Sequence, residues 1–231
     1  MSDHADTGED QWGALVGHGT PMRRLIDEGY VRGDKFLQLG LRGYWPDNKT
    51  LAWMRDQGMR SYEMTEIHHR GLKTVLDESF ATLTEGCDGV FLSVDIDVVD
   101  PGMAPGTGTP EPGGMTSREL LEAVRRICLE LPVVGIDVVE VAPAFDSADI
   151  TAILANRVVL EALSAIAKRR NGSTYDPKQN LLDRQSVSRI TCTSSSDVQG
   201  FTKAKRRIGS PRFFDGGIKP ICFSNSASDH S

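Results

Sequence analysis

GVFLSVDIDVVDPG, residues 89–102, is an apolar run that ends in two carboxylates two positions apart, Asp95 and Asp97. A short apolar run that is continuous rather than alternating is typical of a strand covered on both faces. Two similar runs, FLQLGL at 36–41 and VVGIDVVEV at 133–141, are separated from it by stretches long enough for helices. This pattern predicts an α/β protein with a largely parallel central sheet.

Three helix signals flank these strands. Thr20 with Pro21 predicts a helix that runs to Glu28, before Gly29. A capping box formed by Thr116 and Glu119 predicts a second helix over the periodic ELLEAVRRICLEL. A last apolar-periodic segment predicts a long helix over about 148–168, which closes the body of the chain.

Composition divides the chain into two parts. Residues 1–168 carry the strand and helix patterns, whereas residues 169–231 are rich in serine and glycine and contain eleven Lys and Arg against five Asp. Such a segment cannot bury much apolar surface, so we expect a basic, disordered tail after a single folded domain at 1–168. A recognition role for KAKRR in this tail is the less favoured alternative.

The charge of the whole chain limits the kinds of partner that it can bind. With a net charge of −6, the protein is not expected to bind nucleic acid or an anionic membrane, whereas a small cationic ligand is compatible. The first residues, MSDHADTGED, lack the basic and apolar regions of a secretory signal, and we expect no apolar run to approach the length that spans a bilayer. We therefore expect a cytoplasmic protein.

Asp95 and Asp97 are predicted at the carboxyl end of a parallel strand, where α/β proteins place their ligands. Because side chains alternate along a strand, we expect both carboxylates to project to the same face, into one small volume. One could cap a turn while the other meets an arginine, but a hard divalent cation suits two clustered carboxylates better. Asp100, directly before Pro101, has the position of a turn residue.

A second polar group lies at the amino end, where His4 and Asp6 are also two positions apart and Asp3 is adjacent. Combined with the aspartate pair they form a mixed nitrogen and oxygen set, which suits manganese better than magnesium. Glu140 follows the third strand and could hold a cationic group, or be a solvated strand-end acid. His18 could relay protons, although a structural role is the simpler reading.

The sequence SVDIDVVDPGMAPGTGTPEPGGMTSREL closely resembles the signature of the ureohydrolases, the arginase and agmatinase family. HADTG, GHGTP and GIDVVEVAPAFDSADITAILANRVVLEAL resemble its flanking blocks in the same order, so that the resemblance covers 1–168. LGLRGYWP and the PEPGG variant look most like agmatinase. The resemblance implies a three-layer arginase-like α/β fold, here incomplete at the N-terminus because the family's upstream strands are missing.

The resemblance also implies an activity: hydrolysis of a small guanidino compound by a hydroxide that bridges two Mn²⁺ ions, with agmatine, giving putrescine and urea, as the favoured substrate. His4, Asp6, Asp95 and Asp97 match family metal ligands. Glu140 matches the acid that holds the guanidinium, and His18 matches the proton relay. We also expect a homo-oligomer, as in active family members.

One ligand departs from the family. Ser2 occupies the position of the first aspartate in the D-A-H-A-D block, and Asp3 lies one residue out of register. Together with a missing upstream histidine, this leaves roughly four of the family's six ligands, so the second ion is in doubt. Asp3 is a possible substitute only if the N-terminus rearranges, because neighbouring residues of an extended segment project oppositely.

Two other functions stay open. The chain could be a catalytically impaired ureohydrolase-like fragment that acts only by associating with intact subunits. A histone-deacetylase-like amide hydrolase is a less favoured reading, because the PGTGTPEPGG loop and the paired aspartates match binuclear enzymes, which manganese rather than zinc should activate.

Overall fold

The computed structural model describes residues 1–176 and 221–223. Residues 1–174 and 221–223 fall in one compact unit; Tyr175 and Asp176 belong to a second, whose other residues lie outside the described part. In chain order the elements are α1 Pro21–Asp27, β1 Leu37–Leu41, α2 Asn48–Asp56, β2 Arg60–Glu63, α3 Met64–Arg70, α4 Leu72–Thr84, β3 Gly89–Asp95, α5 Ser117–Glu130, β4 Val133–Val139, α6 Ile150–Arg170 and β5 Ile221–Phe223.

The parallel α/β arrangement predicted from the apolar runs is confirmed. β1 pairs in parallel with β2, and β3 pairs in parallel with β4. Strand β3 is buried along almost its whole length, as expected for a strand covered on both faces. β5 pairs antiparallel with the start of β3, on the side opposite β4.

The first three residues join the two sheets. The backbone N–H of Ser2 donates to Leu39 O of β1 (3.2 Å), and that of Arg42 donates to Asp3 O (3.1 Å). On the other side, Asp95 N–H donates to Met1 O and the Met1 amine donates to Ser93 O, both at 2.9 Å. The N-terminal residues therefore lie between β1 and β3 and bring the DHAD segment to the end of β3.

Local sequence signals explain the helices. α5 begins with the predicted capping box, in which Glu119 N–H donates to Thr116 Oγ1 and Thr116 N–H donates to the Glu119 carboxylate. α1 has its proline in the first turn and ends at Asp27, and Gly29 follows with a φ of 76°. The final helix extends to Arg170, so that the sequence boundary at 168 falls within its last turn.

The final helix, α6, differs from expectation in one respect. By length and composition it is apolar enough to cross a membrane, so the expectation that no apolar run approaches the length of a membrane span is wrong. A buried Glu161, which accepts from Arg125 and Arg157, and the packing of α6 against α5 fix it to this unit. The core helix of a globular protein can have the same length and composition, so these two properties do not by themselves indicate a membrane span.

The expected disordered tail falls largely on residues 177–220 and 224–231, which lie outside the described part of the chain. Its KAKRR segment is among them.

Candidate metal centre

The six catalytic and metal-ligand residues expected from the sequence line one cavity of about 760 Å³, whereas Asp3, the possible further ligand, is not among its lining residues. The six residues are His4, Asp6, His18, Asp95, Asp97 and Glu140. They come from the N-terminal segment, the end of β3 and the end of β4, which the parallel sheet brings to one edge. The cavity is therefore the candidate site.

Asp3, His4 and Asp97 form the tightest group, which we call the Asp–His cluster. Their potential ligand atoms all lie within 4.8 Å of one another. The Asp3 backbone N–H donates to Asp97 Oδ1 (3.0 Å), His4 Nδ1 lies 3.4 Å from Asp97 Oδ2, and His4 Nδ1 also pairs with Asp3 Oδ1. Asp3, which lies one residue out of register with the family block, is therefore part of the cluster.

Asp95 and Asp97 lie together because of a turn and not because of the alternation of side chains along a strand. β3 ends at Asp95, and Ile96–Val98 form one turn of 3₁₀ helix. Within that turn, the Asp97 backbone N–H donates to Asp95 Oδ1 at 3.1 Å. The two buried carboxylates thus share a tight turn, and the prediction that both continue one strand is wrong for Asp97.

Burial and neighbouring charges shift the pKa values of these acids in opposite directions. Desolvation by burial raises the pKa of Asp3 to about 7 and holds that of Asp95 well above its usual range. Burial also acts against ionisation of Asp97, but hydrogen bonds from His4 and Asp3 hold its pKa below the ordinary value. The hydrogen bond to Asp3 is the largest cause that raises the pKa of His4, to about 10.

Asp6 and Glu140 stand apart from the Asp–His cluster but face the same cavity. Both have left-handed backbones, with φ of 51° and 62°, a conformation that non-glycine residues adopt rarely and often at functional sites. Asp6 is close enough to Asp95 to contribute to its raised pKa. A β-carbon added to Gly108 would lie 3.7 Å from Glu140 Oε2, so the glycine-rich loop packs beside this carboxylate.

His18 lies at the exposed side of the cavity, in the loop before α1. Its Nε2 is 2.5 Å from Gln11 Nε2, a contact that orients the ring. Trp45 and Trp12 also line the cavity, and both are largely exposed.

The arrangement fits a divalent cation. Both Asp3 carboxylate oxygens are buried without a hydrogen bond of regular geometry, beside a second carboxylate and an imidazole nitrogen. Buried anions gathered in this way need compensating positive charge. Mixed carboxylate and imidazole donors suit manganese, so the residues present fit the metal that the resemblance implies.

Asp100 confirms its prediction as a turn residue. Its two carboxylate oxygens accept the backbone N–H groups of Gly102 and Gly113, each at 2.9 Å. Arg42, a neighbouring residue that was not predicted from the sequence, holds the same loop through the carbonyl groups of the loop. A pattern of spacing among acids could not have identified it.

Comparisons with known proteins agree with this geometry. Residues 2–165 match the arginase family. The chain is 41% identical over 168 residues to proclavaminate amidinohydrolase of Streptomyces clavuligerus, covering 73% of this chain and 53% of that protein. It is 39% identical to mitochondrial agmatinase of Gallus gallus (71% and 47% covered) and 36% identical to guanidinobutyrase of Pseudomonas aeruginosa (71% and 50%).

The solved structure of the Streptomyces clavuligerus amidinohydrolase superposes with a TM-score of 0.66 and 39% identity, over 73% of this chain and 54% of that chain. The chain spans about half the length of the curated relatives it matches. Motifs, fold and site geometry lead to one conclusion: this chain belongs to the arginase family of ureohydrolases.

Proposed function

We propose that this protein is a manganese-dependent amidinohydrolase that releases urea from a small guanidino compound, with agmatine as its favoured substrate. The observation that carries the proposal is the convergence of all six expected site residues on one cavity, next to the buried Asp–His cluster. Hydrolysis of a guanidino or amidino compound is common to the relatives named above; the individual substrate is the finer inference.

In this proposal His4, Asp6, Asp95 and Asp97 hold the metal, and Asp3 is a further ligand. Bound manganese supplies a hydroxide nucleophile from water at neutral pH. The protein itself does three things: it orients the substrate, keeps the guanidinium carbon near the metal ligands, and moves a proton to the leaving amine.

Glu140 and His18 have these roles. The Glu140 carboxylate accepts hydrogen bonds from the substrate guanidinium, a charge-assisted contact that fixes its plane. When the C–N bond breaks, the departing amine needs a proton, and His18 at the cavity wall delivers it. Gln11 maintains the orientation of the His18 ring.

The rim of the cavity supports a substrate that is cationic at its remote end. Acids outnumber bases there: Glu9, Asp10 and Asp47 line the cavity, and the one lysine in its lining, Lys49, is paired with Glu9. An excess of negative charge attracts a cationic tail and disfavours a carboxylate. Agmatine has such a tail, whereas 4-guanidinobutyrate ends in a carboxylate.

The test is urea release by the purified chain, preincubated with Mn²⁺ and given agmatine, arginine and 4-guanidinobutyrate side by side. We expect urea chiefly from agmatine and none from Asp97→Ala with any substrate. A preference for 4-guanidinobutyrate would contradict the argument from the acidic rim. Absence of urea from a folded chain would contradict the activity itself.

One observation favours the second candidate, an impaired ureohydrolase-like protein that acts by subunit association. Ser2 stands where the family signature has an aspartate, and its hydroxyl donates to Asp95 Oδ2 at 3.4 Å, where a carboxylate would offer a charge. Ser2→Asp distinguishes the two candidates: a large gain in manganese affinity and urea release would identify the serine as the defect. A homo-oligomeric state and a cytoplasmic location stay predictions.

A further inference from the structure

Arg42 is a buried arginine that directly follows β1 and contacts residues of the candidate metal centre. Its side chain is 7% exposed, and its backbone N–H donates to Asp3 O at 3.1 Å. Guanidinium Nη2 lies 3.7 Å from Asp3 Oδ2. The same nitrogen donates to Asp97 O at 2.7 Å, so Arg42 contacts two of the three members of the Asp–His cluster.

Gly40 O of β1 accepts from Nη1 at 3.3 Å, and the other contacts of the guanidinium are backbone carbonyls of the loop that follows β3. Glu111 O accepts from Nη2 (2.6 Å) and from Nε (2.9 Å), and Pro112 O accepts from Nε at 3.1 Å. Val98 O accepts from Nη1 at 3.3 Å. One side chain therefore ties both ends of the loop 97–112 to the end of β1.

Only an arginine can make this set of contacts. The guanidinium carries five N–H donors in a rigid planar fork and keeps its charge at any accessible pH, whereas a lysine offers one compact ammonium. Gly114 provides the room, because a β-carbon there would lie 2.7 Å from Arg42 Nη2 and 2.7 Å from Val98 O. The absence of a side chain at 114 is thus matched to the guanidinium.

We propose that Arg42 is a positioning residue of the metal centre, which holds Asp3 and the Asp97 backbone in converging positions and fixes the loop 97–112 that borders the cavity. The inference rests on the proposed metal site. It assigns Arg42 no contact with substrate: the arginine acts through the cluster and the loop.

The test compares Arg42→Lys with Arg126→Lys. Arg126 is a matched control because it is also buried and ion-paired, to Glu130 and Asp77, but belongs to α5 outside the cavity lining. Mn²⁺ affinity is measured by the electron paramagnetic resonance signal of the free ion, and hydrogen–deuterium exchange of the metal-free chain is measured over 97–112. Thermal unfolding reports global stability for each variant.

We expect Arg42→Lys to weaken Mn²⁺ binding at least tenfold and to speed exchange in 97–112, while Arg126→Lys lowers stability but changes Mn²⁺ affinity less than twofold. Parent-like affinity and exchange in a folded Arg42→Lys chain would overturn the proposal. So would an equal loss of affinity in both variants, since the role of Arg42 would then be general stability.

Gly114→Ala is the second variant, for the case in which Arg42→Lys does not fold. Its methyl group would meet the loop backbone at Asp100 N (2.6 Å) and Val98 O (2.7 Å) as well as Arg42 Nη2 (2.7 Å), so it separates the loop from the guanidinium without removing the charge, and it should weaken Mn²⁺ binding in the same direction. If the parent chain takes up no Mn²⁺, the proposed metal centre fails, and exchange over 97–112 alone decides whether Arg42 holds the loop.

Discussion

At the scale of single residues, the acids of the candidate site differ in pKa because their surroundings differ. Asp97 is held ionised by hydrogen bonds, whereas burial pushes Asp3 and Asp95 toward their neutral forms. Such a cluster is costly without a cation, because desolvated like charges repel. Such an arrangement is expected of a site that a bound cation stabilises.

Asp97→Asn should remove manganese binding, with an affinity loss of more than about 100-fold, since it neutralises a ligand rather than a supporting residue. The matched control is Asp100→Asn, three positions further on, which weakens the turn contacts of Asp100 with Gly102 and Gly113. We expect Asp100→Asn to reduce stability by about 1 kcal/mol and to lower metal affinity far less than Asp97→Asn does, because it loosens the loop without removing a proposed ligand. Calorimetric titration with Mn²⁺ measures both variants, and equal affinities would contradict Asp97 as a ligand.

Through His4, the free energy of unfolding of the metal-free chain should depend on pH. Its pKa rises from 6.5 to about 10 on folding, so the native state binds more protons between these values. The contribution of His4 to stability is therefore complete below pH 6.5 and is lost as pH rises through about 10. Urea unfolding in the presence of a chelator should show falling stability over this window.

His4→Gln is the control for this slope, because glutamine does not titrate and should flatten it. With Mn²⁺ present the trend should reverse, since a metal takes the deprotonated imidazole and binds more tightly as pH rises. A slope that is the same in the parent and in His4→Gln would rule out the imidazole as its source.

At the scale of elements, the beginning of α6 anchors the glycine-rich loop. Thr151 Oγ1 donates to Asp146 Oδ1 and accepts from Gly106 N–H, both at 2.8 Å. Asp146 in turn accepts the backbone N–H groups of Thr151 and Ala152 and so caps the helix. Ala142 N–H donates to Gly106 O at 2.8 Å, which ties the segment after β4 to the same glycine. A single turn thus aligns the loop with Glu140.

Thr151→Val keeps the side-chain shape and removes the hydroxyl, which leaves the buried Gly106 N–H without its acceptor. We expect a loss of about 1 to 3 kcal/mol in the free energy of unfolding and faster hydrogen exchange at 105–109. Thr116→Ala, which breaks the capping box of α5, is the comparison: it should cost about 1 kcal/mol and leave exchange at 105–109 unchanged. Equal exchange in both variants would show that Thr151 does not hold the loop.

Local patterns predicted the elements that carry strong periodicity or caps: β1, β3, β4 and the capped start of α5. β2 was not predicted, because RSYE is short and polar and lies next to α3 without a breaker. The six site residues followed from the resemblance and from strand ends. Asp3 was expected only as a possible ligand and Arg42 was not predicted, since their roles depend on contacts with Asp97 across 94 and 55 positions of chain.

At the scale of the whole molecule, metal binding and folding should be coupled. The cluster joins the amino end to the end of β3, so a ligand that holds Asp3, His4 and Asp97 together favours the folded state alone. Mn²⁺ at 100 times its dissociation constant should add about 2.7 kcal/mol to the free energy of unfolding. A chelator should reverse the gain, and Asp97→Asn should show none; an unfolding midpoint insensitive to Mn²⁺ would contradict a native-state site.

The insertion of residues 1–3 between β1 and β3 also has a consequence for the order of events in folding. Met1 meets Ser93 across 92 positions of chain, and such a contact closes a long loop at an entropic cost that local helices do not bear. The helices and the β3–β4 pair can form from nearer segments, whereas the contacts of residues 1–3 with β3 join segments 92 positions apart. The candidate metal centre, which needs these contacts, is therefore expected to assemble late, and chain topology sets the rate at which a newly made molecule becomes able to bind metal.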